Sequence, residues 1–222
     1  MKVGFLGMLL VASCGGVGVN LGDGGATDGS ADSSADALAD ANPNDSSTND
    51  AGMVSIQIGN CQQFTPCGGA VVGTWAFGGG CIADPLAESK SLCPALQVVS
   101  QTASASGTVS FTPSFITRSY TTSYAMDVIV PTACLANESC AQIQSALAVY
   151  IPNAMCSAVS SGCSCTGSVD SAATQAAAYT LMNDEVVAGA DHYAYCVSGT
   201  AMQYTHVSGP SPEVGTYDLN KP

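Results

Sequence analysis

The sequence predicts a mainly β domain, an antiparallel meander or barrel-like sheet with one helix, stapled by disulfides. Three observations predict it. The stretch 67–81 reads CGGAVVGTWAFGGGC, and Trp75 and Phe77 lie two residues apart, on one face of a strand with Val71 and Gly73. In the stretch 115–130, Ile116, Arg118, Tyr120, Thr122, Tyr124, Met126, Val128 and Val130 share a face at period two. Ten cysteines follow residue 60: Cys61, Cys67, Cys81, Cys93, Cys134, Cys140, Cys156, Cys163, Cys165 and Cys196.

Taken in order, Val54, Ile56 and Ile58 alternate as a first strand or N-terminal arm. Residues 61–67 are a short loop and 71–77 the core strand, which the glycines at 78–80 end. Residues 83–94 read as a loop, 96–103 as a strand, 104–107 as a turn, and Val109 with Phe111 as a short strand ending at Pro113. The strand over 115–130 is long enough to require a bend or bulge. The period then changes. Cys140, Ile143, Leu147 and Tyr150 form a stripe at helical spacing, so 137–150 is the one helix, with Asn137 as N-cap and Glu138 in the first turn. Residues 156–165 read as a small-residue loop and 166–172 as a strand. Hairpins follow over 179–187, turning at Asn183 and Asp184, and over 193–206, turning at Ser198 and Gly199. Pro210 and Pro212 interrupt the tail before a last edge strand at 217–219.

The turn at Ser198 and Gly199 sets Val197 opposite Thr200, Tyr195 opposite Met202 and Tyr193 opposite Tyr204. One face then carries Tyr193, Tyr195, Val197, Met202, Tyr204 and His206. That face turns inward, because each aromatic ring buries about 150–250 Å². Cys196 points the other way, towards a covering loop or the helix. Trp75, Tyr193, Tyr195, Met202 and Tyr204 are thereby the candidate pocket wall or core.

Composition narrows the setting. Charged residues make up 9% of the 222-residue chain, against about 25% in ordinary soluble proteins. The net charge is −13, and the four bases, Lys2, Lys90, Arg118 and Lys221, are scattered. Without a basic patch, nucleic acid is excluded as an expected partner. The cysteine content suits an oxidising compartment. Met1 and Lys2 precede an apolar run, 3–12, too short to span a bilayer as a helix. Residues 15–52 are almost all Gly, Ala, Ser, Asp and Asn. Asp28, Asp32, Asp36 and Asp40 would repel one another on a helix and lack the spacing of a calcium loop, so the segment reads as a flexible acidic tether.

Val11, Ala12, Ser13 and Cys14 resemble the lipobox of bacterial lipoproteins. The resemblance implies a signal peptide over 1–13 and acylation of Cys14. The change of composition at Met53 then divides the remainder into a tether over 14–52, which begins at the lipidated Cys14, and a disulfide-rich β domain over 53–222. Gly15 after Cys14, rather than Asp, implies sorting to the outer membrane of the cell envelope. The membrane is then a partner through the lipid anchor.

The motifs Cys67-Gly68-Gly69, Val72-Gly73-Thr74-Trp75, Gly162-Cys163-Ser164-Cys165 and Tyr195-Cys196-Val197-Ser198-Gly199 carry a second resemblance. Together they resemble the cysteine-rich, lipid-anchored lipocalin-like surface proteins of some Gram-negative bacteria, over roughly 67–207. The resemblance implies a lipocalin-like barrel or half-barrel. Two departures stand out. In lipocalins a late basic residue packs over the tryptophan, whereas the late base here, Lys221, sits in a polar tail. The helix also precedes the final hairpins.

The chemistry of the chain is sparse. His192 and His206 lie near Asp191, yet no Gly-x-Ser-x-Gly elbow aims a serine at either ring, so no enzyme activity and no cofactor are expected. No Cys-x-x-Cys pair supports a metal site, and disulfides are expected instead. Short loops suggest pairing Cys61 with Cys67, Cys81 with Cys93, Cys134 with Cys140 and Cys156 with Cys163, leaving Cys165 for Cys196. Two functions follow. One is a structural or interaction lipoprotein that displays its domain on the tether to a protein partner. The other is a lipocalin-like binder of a small apolar ligand.

Overall fold

The computed structural model describes residues 52–211 and 215–222. The expected signal peptide, Cys14, almost all of the expected tether, and Pro212 lie outside the described residues. The elements are β1 (Val54–Ile58), β2 (Gly73–Ile82), α1 (Ala87–Leu92), β3 (Gln97–Phe111), β4 (Phe115–Pro131), α2 (Cys140–Leu147), β5 (Met155–Val159), β6 (Gly162–Met182), β7 (Glu185–Ala188), β8 (Asp191–Ser198), β9 (Ala201–Ser208) and β10 (Thr216–Asn220).

These strands form one sheet that closes on itself. The ring runs β2–β3–β4–β6–β7–β8–β9–β10 and back to β2. Its pairings are antiparallel throughout. β1 is wedged between β2 and β3 at one end, parallel to β2 and antiparallel to β3. β5 hangs on the first turns of β6. Ring closure leaves few free edges, which suits a chain with so few charges to guard them.

The core has two parts. Inside the ring lie Trp75, Phe77, Val109, Phe111, Ile116, Tyr193, Tyr195, Met202, Tyr204 and Leu219. Beyond it β3, β4 and β6 project further. There Met126, Val128, Val130, Cys163 and Cys165 bury against Ile143 of α2 and against Ile151 and Ala154. Trp75 is wholly buried, and its Nε1 donates to Val71 O at 2.7 Å. Lys221, though exposed, reaches back to the core: its Nζ lies 4.8 Å from the Trp75 ring centroid, a cation–π contact.

Several local expectations are overturned, three of them by pairing with other strands. The glycines at 78–80 do not end β2. A bulge there sets Asp218 opposite Gly79 and Leu219 opposite Phe77, and a Cβ at Gly80 would stand 2.7 Å from Thr216 O. Glycine thus lets β10 press close while β2 continues to Ile82. Residues 104–107 are not a turn, because β4 on one side and β1 on the other hold 104 and 105 in the ladder. Residues 156–165 are not a loop but the β5–β6 hairpin, and β6 runs far past 172 because β4 pairs with it from Gly162 to Ala178. The loop over 83–94 contains the short α1. The helix cap is Ser139, not Asn137. Ser139 and Gln142 form a capping box, while Asn137 adopts φ 74° in the turn before. The bulge expected within 115–130 falls instead on β3, between Val98 and Ser100.

The last hairpin has its turn one residue later than expected. Ser198 pairs with Ala201, Val197 with Met202, Tyr195 with Tyr204 and Tyr193 with His206. Opposed partners move by two residues, so every side chain keeps its face. Tyr193, Tyr195, Met202 and Tyr204 point inward and are buried.

All ten domain cysteines are paired, and none of the five expected pairings is correct. The bonds are Cys61–Cys81, Cys67–Cys196, Cys93–Cys134, Cys140–Cys163 and Cys156–Cys165. Each ties a loop, helix or neighbouring strand to an element that the fold brings alongside. Cys156 and Cys165 are directly opposed on β5 and β6, with Cα atoms 4.1 Å apart. Cys163 and Cys165 share one face of β6 but serve different partners.

Peptide mapping of the non-reduced protein should return these five bonds and no free domain thiol. Replacing Cys67 and Cys196 by Ala opens a link spanning 129 residues and should cost about 4–5 kcal/mol in denaturant unfolding. Trp75→Ala should cost about 3–5 kcal/mol by the same measurement.

Candidate binding site

The ring has two ends of different character. At one end, residues 67–72 cross from β8 to β2. Cys67 N–H and Gly68 N–H donate to Tyr195 O at 3.1 and 3.0 Å, and Val197 N–H donates to Gly68 O at 2.8 Å. Tyr195 OH reaches Gly69 O at 3.2 Å. A Cβ on Gly69 would stand 2.9 Å from Val197 Cβ, so the close crossing requires glycine. Beyond it, Val71 drops into the core and accepts the Trp75 hydrogen bond. Cys67–Cys196 fixes the segment covalently, and this end is stoppered. Cys196 does point to a covering loop, the one that holds Cys67.

Below the stopper the interior is filled. Phe77 meets Tyr217 edge-on at 6.0 Å, Tyr217 stacks on Tyr204 at 5.4 Å, and Tyr204 meets Tyr193 at 6.0 Å. Arg118 Cζ lies 4.9 Å from the Tyr193 centroid, and its Nη2 donates to Gln175 Oε1 at 3.0 Å. A void of about 20 Å³ lies among these side chains, room for a single water. Its walls are Val109, Phe111, Ile116, Arg118, Val186, Tyr193, Tyr195, Met202 and Tyr204. Of the residues expected to wall a pocket, Tyr193, Tyr195, Met202 and Tyr204 meet around this void. Trp75 does not, and packs instead between Val71 and Lys221. Arg118 was legible as a member of the inner face of its strand, but its seat on Tyr193 was not. Tyr217 reads in the sequence only as part of an edge strand, whereas β10 lies between β9 and β2 and turns Tyr217 onto Tyr204.

The other end of the ring opens beside a cleft of about 740 Å³ lined by Ile58, Asn60, Asp84, Lys90 and Gln101, among others. Asp84 organises it. Its carboxylate accepts from Leu86 N–H at 2.9 Å and Gln101 Nε2 at 3.2 Å, and pairs with Lys90 Nζ at 2.5 Å. Burial would raise its pKa, but the bonds from Lys90, Leu86 and Gln101 outweigh this and hold it below the usual carboxylate value. Gln101 Nε2 also donates to Tyr124 OH at 3.0 Å. Burial pushes the Tyr124 phenol up to about 12 against the relief from Gln101, and the Asp84 charge adds to the rise. Nothing in the sequence joins these four residues, because they come from three separate stretches.

The histidines lie at the same end. His206 Nε2 is 3.2 Å from Asp191 Oδ1, and His192 Nδ1 is 3.0 Å from Glu185 Oε2. Asp191 Oδ1 also accepts from Ser211 N–H at 2.7 Å, so this carboxylate anchors the segment after β9. Among the described residues no group of three or more His, Cys, Asp or Glu is placed to hold a metal ion.

The signs of the two shifts give opposite pH limits. Asp84 is lowered on folding, so its contribution is present above the ordinary carboxylate pKa and is lost as pH falls through its folded value. Tyr124 is raised, so its contribution is present below about pH 10 and is lost as pH rises towards about 12. Denaturant midpoints across pH should fall at both limits. Asp84→Asn should flatten the acid limb, and Tyr124→Phe the alkaline limb.

No protein-family model, no curated protein and no solved structure matches this chain.

Proposed function

We propose that this chain is a cell-envelope lipoprotein, anchored through Cys14, that displays a rigid β domain on an acidic tether for a structural or interaction role. The observation that carries the reading is the filled ring. A stapled segment stops one end, and the aromatic stack leaves about 20 Å³ inside. A site for a drug-sized ligand occupies about 300–1,000 Å³, so the interior offers a ligand no room without rearrangement. The lipobox-like residues 11–14 and the five disulfides support the envelope setting. Interaction through the outer surface needs no catalytic group and no cofactor.

The second reading, a lipocalin-like binder of a small apolar ligand, draws on the stack of Phe77, Tyr217, Tyr204 and Tyr193. The rings that fill the interior would wall a pocket if they swung aside.

Intact-mass analysis of the protein from bacterial envelopes, under native and denaturing conditions, separates the readings. The first expects an acylated chain beginning at Cys14 and no added mass that denaturation removes. It also expects Cys14→Ala to leave the membrane fraction. A small apolar molecule released at one per chain would favour the second, and membrane retention of the Cys14→Ala protein would overturn the anchor.

A further inference from the structure

We propose that the outer edge of β6 at residues 168–178 is a docking site for a single extended, basic peptide segment of another protein, which adds as a strand. This deepens the interaction reading by naming the surface and the chemistry of the partner.

β4 occupies one edge of β6 from Gly162 to Ala178 without a register break. The opposite edge is occupied only at its two ends, by β5 beside 162–166 and by β7 beside 179–182. The direction of the backbone groups between them is set by parity. Tyr179 N–H goes to Ser114 O, on the β4 side. The flanking two-residue turns close on the pairs Val159 with Gly162 and Met182 with Glu185, so even-numbered residues of β6 bond away from β4. The N–H and C=O groups of Ser168, Asp170, Ala172, Thr174 and Ala176 therefore point to the unoccupied edge. No backbone partner among the described residues meets them there.

The edge spans about 34 Å at the usual rise of an extended strand. It carries neither lysine nor proline nor a bulge, and Asp170 is its one charged residue. Its guard is its shape, since β5 and β7 stand out from the same edge at both ends. A second sheet brought up sideways would collide with them, and a second copy would present the same two projections. A lone extended segment fits between them.

Charge selects the partner. The domain 53–222 carries ten acids against three bases. The bases are engaged elsewhere: Lys90 on Asp84, Arg118 on Tyr193 and Gln175, Lys221 on Trp75. Asp170 is exposed on the open edge itself. Side chains of the added strand that point with Asp170 should therefore be lysine or arginine. Those that point inward lie along Val169, Ser171, Ala173, Gln175 and Ala177 and should be small or apolar, since Gln175 is already bonded to Arg118.

The test uses the full-length protein and two probes, capped peptides of alternating valine and lysine or of valine and glutamate. The lysine peptide should bind saturably and slow amide hydrogen exchange at the even residues 168–176, and the glutamate peptide should not. Ala172→Pro and Ala176→Pro remove donors that β4 does not use, and should each weaken binding about tenfold. Asp170→Lys should reverse the preference between the peptides. Exchange in the unaltered protein keeps the test decisive if a proline variant fails to fold. The proposal is overturned if the lysine peptide does not bind, or if it binds without slowing exchange at those residues, which would be charge attraction alone. Acylation at Cys14 is read separately, so a negative result here leaves the anchor standing.

Discussion

The structure depends on the ladder between β4 and β6, an unbroken register from Phe115 opposite Ala178 to Pro131 opposite Gly162. β6 is made largely of Ala, Ser, Thr and Gly, whose side chains bury little. It is a strand because β4 supplies a partner along most of its length, not because its own residues favour extension. β4 can do so because its inner face is apolar at both ends and fixed in the core, by Ile116 at one and by Met126, Val128 and Val130 at the other. The same ladder joins the ring to the projecting sheet that α2 covers. Without it the ring would stand open between β4 and β6.

The disulfides complement this economy of side chains. Cys140–Cys163 holds α2 to β6, Cys156–Cys165 holds β5 to β6, and Cys93–Cys134 joins the residue after α1 to the turn after β4. Each lies where apolar burial alone is thin. α1 buries no residue within its own span, and α2 fully buries only Ile143. Cross-links limit the freedom of the unfolded chain, and so substitute for the hydrophobic surface that such a composition lacks.

What could be read in advance followed physical range. Trp75 and Phe77, the inner face of β4, and the aromatic face of the last hairpin were legible, because period two and side-chain size act locally and survive a shifted turn. The helix was legible from the stripe of Cys140, Ile143, Leu147 and Tyr150, though the cap was misplaced, since Asn137 and Ser139 both have capping chemistry. β6 and the middle of β3 were not legible as long strands. Small residues carry no pattern, and their state is set by strands distant in sequence. The disulfides failed for the same reason: short loops are a property of the chain, whereas Cys67 meets Cys196 only after the ring has formed. The cluster of Asp84, Lys90, Gln101 and Tyr124 likewise exists only in the assembled fold.

The bond between Cys61 and Cys81 has a mechanical meaning. The chain enters the described domain at residue 52 and passes at once through β1, wedged between β2 and β3. Tension arriving from the N-terminal side first loads the few backbone bonds of β1, which can peel away. It then reaches Cys61, where a covalent link passes the load to β2, the strand that carries Trp75. β1 therefore acts as a short compliant leader, and the pull ends on a strand of the closed ring.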